Sequence, residues 1–175
     1  MKKSSITKNI KVSVFDENDY LEFNKEISGD LNIILSYYGF DEEKDYLQNL
    51  NGDIFLKNKK IYIYILYENK EPISFAIFEK TKKNKVALQF ICTKLEYTKL
   101  GFATMLLRVA VCSLKDNQID EFVVKNIDDL ILKNLLGSFA KVDGVICEQN
   151  EKFYNFDIKN IKNDLILSKI KEFYI

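Results

Sequence analysis

The sequence contains no histidine and no tryptophan, and it has one proline, one arginine and three cysteines. Histidine is the most common general base and metal ligand in proteins, so its absence excludes imidazole chemistry of either kind. Because Arg108 is the only arginine, almost all of the positive charge is carried by lysine. Lysine binds phosphate as a point charge rather than as a planar fork, so any phosphate site here must rely on lysine or on backbone groups.

The cysteines give no sign of a zinc site or a disulfide framework. Cys92, Cys112 and Cys147 are scattered along the chain, and no pair has the C-x-x-C spacing of a metal or redox motif. Each lies in an apolar run. We therefore expect three reduced, packed cysteines in a reducing compartment, and no metal.

Charge and hydrophobic runs argue against two further classes of protein. Lysine plus arginine and aspartate plus glutamate both total 26, and a net charge of zero argues against a nucleic-acid binder. No apolar run is long enough to span a membrane, and the N-terminal residues do not form a signal peptide. The 175 residues, 47% of them hydrophobic, predict a single cytoplasmic domain over 1–175.

The hydrophobic pattern predicts an α/β fold with a mixed, largely antiparallel central sheet and flanking helices. Strands are expected at 11–15, 61–67, 73–78, 86–93, 121–125, 145–147 and 153–158. Helices are expected at 20–27, 31–38, 41–50, 102–114, 126–136 and 161–173, with Gly137 ending the fifth. Short polar turns around 68–71 and 81–84 predict an antiparallel meander. The helix between strands 86–93 and 121–125 predicts that these two strands pair in parallel.

The most informative segment is 85–108, which reads as a strand, a polar turn and an amphipathic helix. The first N–H groups of a helix lack intrahelical partners, and the helix dipole favours negative charge there. Gly101 and Ala103 are small enough for a ligand to approach the backbone closely. The turn therefore predicts a phosphate site, assisted by Lys94 and Lys99; the alternative is a plain strand-to-helix connection.

This segment resembles the acyl-CoA signature of the GCN5-related N-acetyltransferases, which reads Arg or Gln, two residues, Gly, one residue, then Gly or Ala. The sequence TKLGFA at 98–103 matches it, except that Thr98 stands in the position of the arginine or glutamine. The preceding Glu96 and Tyr97 match the family as well. A second likeness lies further along, where Asn126, Leu132 and Gly137 fall in the register of another family motif.

The resemblance implies an N-acetyltransferase that uses acetyl-CoA and no metal. The acceptor would be a small-molecule or protein amine, and relatives are often homodimers. The family fold splays the sheet between strands 86–93 and 121–125, and the pantetheine arm lies in the gap. The residues that would bind the cofactor are Ile91, Cys92, Thr93, Thr98, Lys99, Leu100, Gly101, Phe102, Ala103, Asn126 and Lys133.

The catalytic groups are not identified by the resemblance. Ala87 stands where many relatives have a glutamate base, and Lys133 stands where the family often has a tyrosine that protonates the thiolate. Gln89 could hold a water or the amine, and Cys92 is a candidate acid, although core packing is the alternative reading for it. These departures keep two other hypotheses open: a catalytically degenerate member that binds CoA or a protein partner, and an unrelated α/β interaction domain.

Overall fold

The computed structural model describes residues 10–15, 61–125, 130–150 and 153–164. The helices expected at 20–27, 31–38 and 41–50, and most of the helix expected at 161–173, lie outside these residues. Within them, no helix is both long and apolar enough to cross a membrane.

Among the described residues, seven strands form one mixed sheet in the order β1-β2-β3-β4-β5-β7-β6. The strands are β1 (Ile10–Phe15), β2 (Ile61–Glu68), β3 (Glu71–Lys82), β4 (Lys85–Thr93), β5 (Glu121–Lys125), β6 (Ile146–Gln149) and β7 (Phe153–Asp157). Only β4 and β5 pair in parallel, and the other neighbours are antiparallel. The predicted fold class, the meander, the parallel pair and the final hairpin are all confirmed.

Strand β2 is buried on both faces, as its continuous β-branched and aromatic sequence predicts. The turn that follows it has Asn69 and Lys70 at φ values of 51° and 72°. Two successive left-handed residues form a turn whose twist matches that of a β-hairpin. Strand β3 begins at Glu71, so Pro72 is its second residue rather than its first. The ladder shifts register beside this proline, between Leu66 and Tyr67.

Helix α1 (Phe102–Asp116) runs two residues beyond its predicted end, and helix α2 (Leu130–Asp143) runs well past Gly137. The prediction that Gly137 ends α2 is wrong. The helix continues because Phe139, two residues later, is fully buried in the core. It stops at Gly144, which has a φ of 66°, and the Val145 N–H donates to the Ala140 carbonyl at 3.0 Å, as in a Schellman motif.

Both helices pack on one face of the sheet, called here the helix face. Tyr64, Phe78 and Leu88 lie on it, in a core cluster with side chains of α1 and α2. Phe122 of β5 lies at the centre of the aromatic contacts in this core cluster. Its ring stacks on Phe156 at 4.4 Å between centroids and meets Phe78 edge-on at 5.9 Å. These contacts join the β2–β4 side of the sheet to the β5–β7 side.

Candidate functional site

Strands β4 and β5 share a short parallel ladder. Among the described residues they pair through three residue pairs, which join 85–87 to 121–123. Strand β4 continues to Thr93, and Leu88 and Gln89 form no pair with Val124 and Lys125, the last described residues of β5. Because neighbouring strands normally satisfy each other's backbone N–H and C=O groups, a ladder that stops early creates a place for a ligand to supply those bonds. Within the described residues, the ladder ends early, as the predicted splay between these strands requires.

A β-bulge lies at the point of divergence. Ile77 pairs with Phe90 and Phe78 pairs with Leu88, so Gln89 is an extra residue on β4. A bulge bends its strand and increases the local twist. The Gln89 side chain is exposed, and its amide Nε2 donates to a carboxylate oxygen of Glu79 at 3.3 Å.

The end of β4 is held by a buried hydroxyl. Ser74 Oγ donates to the Cys92 carbonyl at 2.7 Å and lies 2.8 Å from Thr93 Oγ1. Because a serine hydroxyl has one hydrogen, which the Cys92 carbonyl receives, the Thr93 hydroxyl donates to Ser74. Segment 91–93, expected to hold the pantetheine arm, is therefore anchored to β3 by side chains as well as by the ladder. Cys92 itself is half-buried.

The Lys94 ammonium group, which the sequence predicts to assist phosphate binding at the turn, pairs with a carboxylate instead. Its side chain is 3% exposed, and its Nζ donates to a Glu71 carboxylate oxygen at 2.5 Å. Burial, with Glu71 and Glu68 nearby, raises the pKa of Tyr97, whose hydroxyl also bonds to Glu71. Lys94 and Tyr97 thus converge on Glu71 and fasten the start of the turn to the β2–β3 hairpin.

The turn itself has an unusual backbone. A short 3₁₀ helix (Leu95–Tyr97) leads into it, and the Thr98 hydroxyl donates to the Leu95 carbonyl at 2.7 Å. Lys99 has a φ of 63° and Gly101 a φ of 85°, so two residues within three adopt the left-handed conformation. Such alternation turns successive N–H groups toward one side and forms an anion-binding concavity. The side chains of Lys99 and Leu100 are exposed beside it.

Helix α1 begins directly after this turn, with Gly101 as its N-cap. Glycine has no side chain to cap the helix, and no acidic residue lies in the first turn. The first intrahelical bond runs from the Met105 N–H to the Gly101 carbonyl at 3.0 Å. The N–H groups of the first turn and the positive end of the dipole therefore suit an anion. Phe102 packs edge-on against the Tyr97 ring at 5.9 Å, which braces the helix start.

Three further residues were predicted from the second family motif. Asn126 lies outside the described residues. Lys133 is exposed in the first turn of α2, and Leu132 packs against the core. Among the residues that the structure describes, no group of three cysteine or carboxylate side chains could hold a metal ion.

Sequence reasoning missed Glu71, Ser74 and Glu79, all on β3. Each acts on β4 or on the turn from across the ladder, so only the cross-strand register could have revealed them. The hairpin turn at 83–84 gives an approximate register, but the ladder shifts between Lys80 and Lys82 and again at Gln89. The arrangement as a whole combines an anion site at the start of α1 with a strand gap beside 91–93.

Comparisons with known proteins identify the fold through solved structures and not through sequence. Neither a scan against models of protein families nor a search of curated proteins finds a match to this sequence. Solved structures do match. The ribosomal-protein-S18-alanine N-acetyltransferase from Escherichia coli has a TM-score of 0.61 at 12% identity, over 88% of this chain and 97% of that chain.

Two further structures are similar over almost their whole length. Tetrahymena GCN5 gives a TM-score of 0.60 at 15% identity, over 86% of this chain and 98% of that chain. A Bacillus subtilis acetyltransferase in complex with CoA gives 0.58 at 14% identity, over 85% and 99%. At identities this low, the structural similarity establishes a shared architecture. The chain has the fold of the GCN5-related N-acetyltransferases.

Proposed function

We propose that this protein is an acyl-CoA-dependent N-acyltransferase that moves an acetyl group from acetyl-CoA to an amine. The observation that carries the proposal is the position of the α1 N-terminus at the end of the strand that diverges from its neighbour. An anion site and an adjoining gap between strands suit a ligand that has a pyrophosphate and a long arm with amide groups. Solved structures of the same fold include acetyltransferases, some of which were determined with CoA.

In this proposal the pyrophosphate lies on the turn 98–103 and accepts hydrogen bonds from backbone N–H groups at the start of α1. The two left-handed residues, Lys99 and Gly101, support this placement because they shape the backbone into a concavity. The Lys99 ammonium adds positive charge at the rim, while Leu100 and Phe102 flank the turn. Thr98, which has its hydroxyl bonded locally, contributes backbone rather than side-chain contacts.

The pantetheine arm would lie along Ile91, Cys92 and Thr93, where a backbone N–H polarises the thioester carbonyl. Its other wall would come from β5 and from Asn126 and Lys133. Acyl transfer needs the carbonyl polarised, the amine held in line and the thiolate stabilised as it leaves. A fixed backbone donor at the end of β4 meets the first need without a dedicated side chain. The Ser74 bond to the Cys92 carbonyl supports such fixation.

The acceptor in this proposal is a small-molecule or protein amine, and the reaction takes place in the cytoplasm. The Escherichia coli neighbour acts, by its name, on an alanine of a ribosomal protein, so protein amines belong in the first screen. We expect neither nucleic acid nor membrane as a partner, and a homodimer fits the family resemblance.

A second candidate function is CoA binding without catalysis. Ala87 at the position of the family glutamate, and Lys133 at that of the tyrosine, favour it.

One experiment separates these functions. The protein is incubated with acetyl-CoA and a panel of amines, which comprises a polyamine, a lysine peptide and a peptide with an unblocked N-terminus. Release of CoA thiol that depends on an amine supports the transferase. Binding of acetyl-CoA without amine-dependent release favours the non-catalytic protein, and absence of binding favours an unrelated interaction domain.

A further inference from the structure

The peptide group between Cys92 and Thr93, at the end of β4, directs its carbonyl at β3. The Lys94 N–H donates to the Ile73 carbonyl at 2.9 Å, so these two residues form a hydrogen-bonded pair. Such pairs alternate with non-hydrogen-bonded pairs along an antiparallel ladder, and the register is regular where 74–77 pairs with 90–93. Cys92 therefore directs its backbone N–H and C=O toward β3, whereas Thr93 directs its own away from β3.

The Thr93 N–H consequently points to the side of β4 on which β5 lies. The C=O and N–H of a trans peptide group point in opposite directions, so the bond from Ser74 to the Cys92 carbonyl indicates the same orientation. In the described part of the chain, β4 pairs with β5 only at 85–87, so no ladder bond uses this N–H. Ile91 directs its backbone groups to the same side and is half-buried. The end of β4 therefore presents backbone groups where the arm of the proposed ligand would lie.

Two buried hydroxyl groups act on the carbonyl of this peptide group. Ser74 is 0% exposed and donates to the Cys92 carbonyl at 2.7 Å, and the Thr93 hydroxyl, in a residue 8% exposed, donates to Ser74 at 2.8 Å. A carbonyl oxygen has two lone pairs, so it accepts the Ser74 bond in addition to a ladder bond. Successive hydrogen bonds polarise one another, so a hydroxyl bonded to a C=O strengthens the N–H of the same peptide group as a donor.

Ser74 is the only polar residue in the buried part of β3, which comprises residues 72–78. Burial of a hydroxyl costs free energy unless the group is hydrogen-bonded, and an apolar side chain would fill the same space without that requirement. The one buried hydroxyl of β3 lies directly opposite Thr93. This placement favours a role for Ser74 at the end of β4 beyond packing.

We propose that Ser74 is a positioning residue for acyl-CoA, which acts through the peptide group between Cys92 and Thr93; this inference rests on the function proposed above. The bond from Ser74 to the Cys92 carbonyl fixes and strengthens the Thr93 N–H, which donates to an amide carbonyl of the pantetheine arm. The pyrophosphate, bound at the start of α1, does not contact this peptide group. Ser74 therefore affects binding of the arm and leaves binding of the nucleotide end of the ligand unchanged.

Calorimetric titration with two probes separates these two parts of the ligand. CoA has the pantetheine arm, and 3′-phospho-ADP is the same nucleotide without it. Ser74→Ala should weaken CoA binding by about threefold to tenfold, the effect of one hydrogen bond, and leave the affinity for 3′-phospho-ADP within about twofold. Ser74→Cys has a side chain of similar size that is only a weak donor, so it should show the same selectivity if Ser74→Ala does not fold. Thr93→Val keeps the Ser74 bond to the Cys92 carbonyl and should lose less CoA affinity than Ser74→Ala.

The matched control is Ser113→Ala. Ser113 on α1 is half-buried and accepts a hydrogen bond from the Tyr64 hydroxyl of β2 at 3.2 Å, so this variant also loses one serine hydroxyl bond. It should bind both probes as the unaltered protein does. Unchanged CoA affinity in Ser74→Ala would overturn the proposal, as would equal weakening of both probes, and either result would leave the proposed function standing. Absence of CoA binding by the unaltered protein would refute the proposed function itself, and this inference with it.

Discussion

Lys85 ties together the three strands at the closed end of the gap. Its Nζ donates to a Glu121 carboxylate oxygen at 2.9 Å and to Asn155 Oδ1 at 2.7 Å, so it joins β4 to both β5 and β7. The bond from Lys85 lowers the pKa of Glu121 below its ordinary value, and Asn155 contributes to the same effect. The pair is partly exposed, which limits its contribution to stability.

Glu121→Gln should therefore lower the free energy of unfolding by about 0.5 kcal/mol at pH 7. A carboxyl group with a lowered folded-state pKa stabilises the fold above its unfolded pKa of about 4.3, and this stabilisation disappears as the pH falls through the folded-state value. Urea unfolding of both proteins from pH 7 to pH 3 measures the difference. A difference that grows as the pH falls would contradict this assignment. Glu148→Gln, at an exposed glutamate, is the control.

The ends of the two helices use the same motif with different residues. Helix α1 ends with Gln118 at a φ of 62°; the Ile119 N–H donates to the Leu114 carbonyl and the Gln118 N–H to the Lys115 carbonyl. Helix α2 ends with Gly144 at a φ of 66°. Both are Schellman motifs. In α1 the left-handed position is occupied by an L residue, which has a steric penalty there, whereas the glycine of α2 has none.

Gln118→Gly should stabilise the protein by about 0.5–1 kcal/mol, because relief of the left-handed penalty outweighs the added entropy of the unfolded chain. Thermal unfolding should show a rise of about 2–4 °C. The adjacent Asn117→Gly is a matched control. Asn117 has a φ of −87°, and its side chain donates to the Ser113 carbonyl, so this variant should lose stability. Stabilisation by Asn117→Gly and not by Gln118→Gly would contradict the account.

Local sequence patterns predict those elements whose own residues determine them. Strand β2 follows from its β-branched run, and α1 follows from its amphipathic spacing after Gly101. The prediction failed at Gly137 because burial of Phe139 continues the helix beyond a residue that is often a stop. It failed at Lys94 because its partner, Glu71, lies on another strand. The position of Glu79 opposite Ala87 could not be identified because an irregularity between Lys80 and Lys82 shifts the ladder next to the hairpin turn.

The described part of the sheet has two sides, β1–β4 and β5–β7, which are joined on both faces. On the helix face, Arg108 of α1 donates through Nε to both carboxylate oxygens of Asp143 at the end of α2, at 2.9 and 3.2 Å. Both side chains are buried. On the opposite face, the Lys85 bonds described above perform the same role. The bonds of Arg108 to Asp143 and of Lys85 to β5 and β7 therefore hold together the two parts that the short β4–β5 ladder joins weakly.

Arg108→Met should destabilise the protein by about 3–5 kcal/mol, because it leaves the Asp143 carboxylate buried without its cation. The double variant Arg108→Met, Asp143→Leu should recover most of that loss, since an apolar pair of similar size avoids the desolvation cost. Urea unfolding of the three proteins gives the comparison. A single variant as stable as the unaltered protein would show that the ion pair does not join the helices.

In the proposed function, acetyl-CoA binds with its pyrophosphate at the start of α1. Calorimetric titration of acetyl-CoA into the unaltered protein, Ala103→Glu and Gly137→Glu tests it most directly. Ala103 lies in the first turn of α1, and Gly137 is exposed in α2 with open space around it, so both accept a glutamate on helical backbone. We expect binding by the unaltered protein and by Gly137→Glu, and affinity at least about tenfold weaker in Ala103→Glu from charge repulsion at the helix start. Equal affinity in all three proteins, or no binding by the unaltered protein, would contradict the claim.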